Sequence, residues 1–167
     1  MNNLEVFFDY ACPYCRKGHG YLRELAAEHG GIDIVWRPCE AHPRPENYGP
    51  HSDLCIQGMF YALESGADVW VYNDAMYAAA HSGGTNIEDI SALAEHLRGI
   101  LDAEGFINAL TAGRYAERVN EANDYAYEIN GVWAIPSYRL NGAKLDAALG
   151  VGVSKDELFE FVARHKK

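Results

Sequence analysis

Hydrophobic positions along the chain change period several times, and each change marks an element. Leu4 to Phe8 is a short β-branched and aromatic run, the pattern of a buried strand. Gly18, Tyr21, Leu22, Leu25, Ala26 and His29 then fall at helical spacing until Gly30-Gly31 stops them. Ile32 to Trp36 reads as a second strand, closed by Pro38. Strand, helix and strand in about 35 residues predict a βαβ unit with parallel strands and a right-handed crossover.

Glu40 to Pro50 reads as an irregular loop, and helical periodicity without strand candidates follows. Ser52 is the expected N-cap of a helix whose stripe is Cys55, Met59, Ala62 and Leu63. A second helix is expected over Asp68 to His81, a third from near Asn86 through Ile90, Leu93, Ala94 and Leu97, and a short fourth around Phe106 and Leu110. Tyr115, Val119, Ala122, Ala126 and Ile129 predict one long helix ending at Asn130-Gly131. Two strands return, Pro136 to Leu140 and Lys144 to Leu149, around the hairpin signal Asn141-Gly142. Ser154 to Glu157 is a capping box that opens a C-terminal helix carrying Leu158, Phe159, Phe161 and Val162. The order is that of an α/β protein with a helical block between its two sheet-forming parts.

Charge and composition narrow the function. The 167 residues carry 14 Lys and Arg against 24 Asp and Glu, a net charge of -10, which argues against a nucleic-acid partner. No apolar run approaches the ~20 residues of a membrane span, and the first residues lack the pattern of a signal peptide, so the expected address is cytoplasmic with no membrane partner. Four cysteines are too few for a disulfide-stapled secreted scaffold. In a reducing compartment, paired cysteines point to redox chemistry or metal.

Cys12-Pro13-Tyr14-Cys15 lies directly after a strand and opens a helix. Cys12 is then expected in the N-cap region with Pro13 at the first helical position, where a missing N–H costs nothing. A thiolate at that point meets unpaired backbone N–H groups and the positive end of the helix dipole. Lowering a thiol pKa from ~8.5 to ~6 stabilises the thiolate by roughly 3.4 kcal/mol, of which the dipole supplies about 0.3–1. Hydrogen bonds to the sulfur must supply the rest. The competing reading is a zinc site of Cys12, Cys15, Cys39 and Cys55. Structural zinc prefers two closely spaced pairs, and Cys39 and Cys55 stand far apart in sequence. Ile135-Pro136 opens the third strand, where an ordinary trans proline is also permitted.

The run Phe-Phe-Asp-Tyr-Ala-Cys-Pro-Tyr-Cys (Phe7–Cys15), with Ala112 to Glu117 and Gly131 to Pro136 downstream, resembles the DsbA type of the thioredoxin-like fold, in particular a cytoplasmic FrnE-type branch. The resemblance implies a thioredoxin-like core of residues 1–48 and 131–167 and a helical insertion with its connecting helix at 49–130. It also implies a nucleophilic Cys12, a resolving Cys15, and a cis Pro136 facing the disulfide. Ala134 stands where the family commonly has Gly, and Pro13-Tyr14 is the dipeptide usual in glutaredoxins, which leaves the direction of reaction open.

The expected function is thiol–disulfide oxidoreduction on thiol- or disulfide-bearing proteins or glutathione-like substrates, with the redox-active disulfide in place of a cofactor and no metal. The alternatives are a glutathione-dependent isomerase or transferase of the same fold, or a zinc-binding protein. Asp9 reads either as a proton relay or as a turn-forming side chain. Tyr14 is expected exposed beside the sulfur, and with Pro13 and Ile135 it completes the substrate-facing set. Cys39 and Cys55 form a possible second pair, against ordinary buried thiols as the bland reading. His42, His51, His81 and His96 make no ligand pattern and read as surface residues.

Overall fold

A four-stranded sheet carries the cysteine motif. In the computed structural model, which describes residues 1–167, β1 (Asn2–Phe8) and β2 (Ile32–Pro38) pair in parallel around α1 (Pro13–Glu28). β3 (Ser137–Leu140) runs antiparallel to the other edge of β1, and β4 (Ala143–Asp146) completes the order β2-β1-β3-β4. Asn141 (φ 50) and Gly142 (φ 86) both take positive φ, the conformation the two-residue hairpin requires. β1 is central, and its Leu4, Phe7 and Phe8 are at most 1% exposed, as a doubly covered strand demands. α7 (Lys155–His165) starts at the expected capping box, with Glu157 N bonding Ser154 Oγ at 3.2 Å and Ser154 N bonding Glu157 Oε2 at 2.7 Å.

These elements belong to one of two compact units, Met1–Cys39 with Asp124–Lys167; the other is Glu40–Asn123. Both limits fall inside the helical stretch expected for 49–130 or the loop before it. The first lies where β2 stops pairing, at Pro38. The second lies where α6 gives way to a π-helical turn whose Ala126 joins the buried cluster of Phe7 and Val132.

The second unit is helical: α2 (Asp53–Glu64), α3 (Val69–His81), α4 (Ile90–His96), α5 (Ala103–Thr111) and α6 (Ala116–Asp124). Three Asp side chains cap helices by accepting backbone N–H groups, Asp68 from Trp70 (2.8 Å), Asp89 from Ala92 (2.7 Å) and Asp102 from Glu104 (3.2 Å). Asn86 does not start α4. Its side chain accepts from Glu88 N at 3.0 Å in a turn, and Asp89 takes the cap. The α2 stripe also needs correcting: Cys55, Met59 and Ala62 are buried, but Leu63 is 47% exposed. Gly58 leaves the space into which Tyr72 and Phe106 pack, and the Tyr72 hydroxyl donates to the Cys55 carbonyl at 2.6 Å.

The long helix expected from Tyr115 to Asn130 is interrupted. After Asp124 the chain forms a π-helical turn, Tyr125–Ile129, closed by Asn130 N donating to Tyr125 O at 3.1 Å. A π turn holds more residues than an α turn, so positions beyond it rotate out of the helical stripe. Ala126 remains buried while Ile129 faces solvent. β4 is likewise shorter than expected: Ala147 N continues its register by one bond to the Pro136 carbonyl at 3.1 Å, Pro136 has no N–H to return, and Ala148 then closes a small loop with Gly152.

Candidate active site

Cys12 occupies the N-cap of α1 with Pro13 at the first helical position. β1 ends at Phe8, and the turn that follows is built by Asp9. Its carbonyl accepts from Cys12 N at 3.1 Å, and its side chain accepts from Ala11 N at 2.9 Å. Asp9 is therefore a turn-forming side chain, 3% exposed. Extended backbone at Cys12 (φ -83, ψ 120) aims its sulfur back over the helix start, where it accepts from Cys15 N at 3.3 Å.

The two sulfurs are unequal. Cys12 is half-buried and Cys15 is buried. The hydrogen bond from the Cys15 thiol holds the Cys12 thiol below its ordinary value. Burial opposes this, the backbone N–H groups of Cys15 and Tyr14 assist it, and the Asp9 charge opposes it. Cys15 is pushed well above the ordinary thiol value, first by burial and then by its bond to Cys12 and the Cys12 charge. The thiolate thus collects on the sulfur that solvent can reach, and thiolate is the attacking species.

Ile135-Pro136 is a cis peptide, and its segment meets the motif: Cys12 Sγ lies 3.9 Å from the Ile135 carbonyl. Gly18, one turn beyond Cys15, permits the approach. A Cβ there would stand 2.8 Å from the Tyr138 hydroxyl and 3.6 Å from Pro136 Cγ. Tyr138 is wholly buried, and burial and then the Cys15 and Cys12 charges push its phenol upward. Neither Gly18 nor Tyr138 was singled out from the sequence. A glycine inside a helical pattern was the available signal for the first.

Tyr14 departs from expectation. Its ring is half-buried against Gly152, and its hydroxyl donates to the Gly150 carbonyl at 2.6 Å. The ring is committed to the loop after β4. Pro13 is exposed, and Ile135 packs against the cluster of Phe7, Cys39, Ala126 and Val132.

Cys39 and Cys55 lie in different units, and no disulfide joins any of the four cysteines. Cys39 N donates to Phe8 O at 2.8 Å. Burial pushes its thiol up to about 12 despite a hydrogen bond from Tyr127. Cys55 is buried in the first turn of α2. No group of three or more His, Cys, Asp or Glu side chains is arranged to hold a metal ion. Three of the four histidines expected at the surface, His51, His81 and His96, are partly buried. His51 bonds Glu88 Oε1 and the Glu46 carbonyl, and His96 bonds the Ala75 carbonyl. The buried His19, beside Trp36 at 5.8 Å between ring centroids, was not singled out.

Residues 3–73 match the family of the DSBA-like thioredoxin domain. YwbO, an uncharacterized protein of Bacillus subtilis, is 24% identical over an alignment covering 90% of this chain and 92% of that protein. The Na(+)/H(+) antiporter NhaA 3 of Salinispora tropica is 28% identical over 83% of this chain, which spans 20% of the antiporter's length. A probable DsbA oxidoreductase from Streptomyces coelicolor superposes with a TM-score of 0.80 at 16% identity, covering 99% of this chain and 90% of that one. Oxidised BdbD from Bacillus subtilis gives 0.74 at 14% identity, covering 98% and 86%. These structures share the fold. No helix of the chain is long and apolar enough to cross a membrane.

Proposed function

We propose that the protein exchanges disulfides with thiol- or disulfide-bearing proteins or small thiols, using Cys12 as nucleophile and Cys15 as resolving thiol. The observation that carries this is the split between the two sulfurs: Cys12 half-buried at the helix start and lowered, Cys15 buried behind it and raised. The Cys12 thiolate attacks one sulfur of a substrate disulfide. A Cys12–substrate bond forms, the substrate S–S bond breaks, and the second substrate sulfur leaves as a thiolate.

Once Cys12 is bonded, it carries no charge and no longer accepts from Cys15. Two of the causes that raise Cys15 are then gone. Cys15 loses its proton more readily and attacks Cys12, forming Cys12–Cys15 and releasing the reduced substrate. The reverse sequence oxidises a dithiol. The redox-active pair is its own electron carrier, and the reaction calls for no metal or organic cofactor. Ile135 and cis Pro136 offer the backbone beside which a substrate chain lies.

Mass spectrometry after acid quench and alkylation tests the reading. Reduced protein mixed with a peptide disulfide should yield the reduced peptide and protein with two thiols fewer, both at Cys12 and Cys15. Unchanged thiols at those positions would overturn it. The potential of the pair then assigns direction: a value near about -270 mV marks a reductant and one near about -120 mV an oxidant.

A further inference from the structure

Three successive carbonyls beside Cys12 have three different partners. The Ser137 hydroxyl donates to the Ala134 carbonyl at 2.6 Å, and Ala147 N donates to the Pro136 carbonyl at 3.1 Å. Between them the Ile135 carbonyl faces Cys12 Sγ at 3.9 Å. Ser137 is 0% exposed, so no bulk water competes for its hydroxyl. A hydroxyl carries a single proton, and here that proton goes to Ala134.

The pinning matters because residues 131–136 belong to neither helix nor strand. The Val132 N bond to Ala126 O (3.0 Å) fixes the start of this segment, and Ser137 opens β3 at its end. Ala134 lies between the two fixed points, and its carbonyl orientation sets the plane of the Ala134–Ile135 peptide. With the carbonyls on either side occupied, Ile135 presents the backbone acceptor that a peptide N–H could share with the Cys12 thiol. A small disulfide needs only the Cys12 sulfur, whereas an extended chain needs the Ile135 backbone as well.

We propose that Ser137 is a positioning residue for extended peptide substrates, holding the Ala134 carbonyl so that the Ile135 backbone meets the substrate main chain beside Cys12. The proposal rests on the thiol–disulfide reading above. Its chemistry selects a polypeptide disulfide over a small one, and Ser137 itself touches no reacting atom.

Ser137→Ala is tested in the full chain against a peptide disulfide and against 2-hydroxyethyl disulfide. The peptide KM should rise about fivefold to tenfold, the worth of one buried hydrogen bond, with kcat within about twofold. The rate with 2-hydroxyethyl disulfide and the pH midpoint of Cys12 alkylation should stay at the wild-type values, and Ser137→Thr, which keeps the hydroxyl, should restore the peptide KM. An unchanged peptide KM overturns the proposal, as does a parallel loss on both substrates, which marks a merely structural serine. Should Ser137→Ala not fold, Ser137→Gly removes the same hydroxyl and carries the same expectations. A wild-type protein inactive on both disulfides instead refutes the thiol–disulfide reading itself.

Discussion

Cys12 and Cys39 follow the carboxyl ends of two adjacent parallel strands, β1 and β2, and so belong to the same edge of one sheet. Their thiols move in opposite directions. At Cys12 a helix begins, and backbone N–H groups with the Cys15 thiol bond the sulfur strongly enough to outweigh partial burial. At Cys39 no helix begins. The sulfur sits among Phe7, Ala126 and Val132, and burial outweighs the bonds from Tyr127 and the Phe8 backbone. Placement at the sheet edge does not by itself make a cysteine reactive. The local supply of donors decides.

The largest test of this contrast is substitution. Cys12→Ser should lower disulfide exchange by on the order of a thousandfold, since a hydroxyl at the helix start forms no thiolate equivalent. Cys15→Ser should accumulate mixed disulfides on Cys12, visible as covalent adducts. Cys39→Ala should leave exchange within about twofold. Iodoacetamide at neutral pH should label Cys12 first in the native protein. Equal labelling of Cys39 would break the comparison.

Alkaline pH offers the next test. The folded Cys39 keeps its proton to about 12, whereas the unfolded thiol releases it near its ordinary value of 9.0. Between those values the unfolded chain binds fewer protons than the native one. Stability is fully present below about pH 9 and falls as pH rises, by about 1.4 kcal/mol per unit for this one group. Cys15, raised by burial, adds a loss of the same sign. Urea denaturation at successive alkaline pH values should show a shallower decline for Cys39→Ala than for the wild type. Equal slopes would place the Cys39 sulfur outside the apolar cluster.

How far the sequence alone reaches differs between these two sites. The Cys12 environment is local: strand, turn, cysteine and proline are contiguous, so the N-cap placement was readable. The Cys39 environment is not. It joins β1 to a π-helical turn some 87 residues beyond Cys39, and period counting assumed an unbroken α-helix there. Tyr138 and Gly18 escaped for the same reason, because they meet each other from distant parts of the chain, whereas Ser137 escaped although its partner Ala134 is local, because the segment between them has no regular period to read. Leu63 misled in the opposite way, since an apolar residue on a helix need not be covered.

Gly18 gives a smaller effect that bears on the reactive side of the contrast alone. Alanine there gains up to about 1 kcal/mol of helix propensity but places a Cβ against the Tyr138 hydroxyl, and overpacking of a filled interior costs about 1–3. Gly18→Ala should therefore be net destabilising by about 1 kcal/mol in thermal unfolding. Tyr138→Phe removes the obstructing oxygen, 2.8 Å from that Cβ position, so the double variant should recover most of the loss. Additive losses would show that α1 and β3 do not meet through this contact.

Tyr14 supplies the smallest effect and the sharpest reading of what lowers Cys12. Its backbone N–H is among the groups that favour the Cys12 thiolate, while its hydroxyl is occupied by the Gly150 carbonyl at 2.6 Å. Tyr14→Phe removes only the hydroxyl. The ring keeps its place against Gly152, whose φ of 79 already excludes most side chains there. The lost bond is solvent-accessible, so stability should fall by no more than about 1 kcal/mol. The pH midpoint of Cys12 alkylation should not move, because the group that acts on the sulfur is main chain and survives the substitution. A shifted midpoint at unchanged stability would mean that the loop after β4 also tunes the thiolate, and that the helix start alone does not separate Cys12 from Cys39.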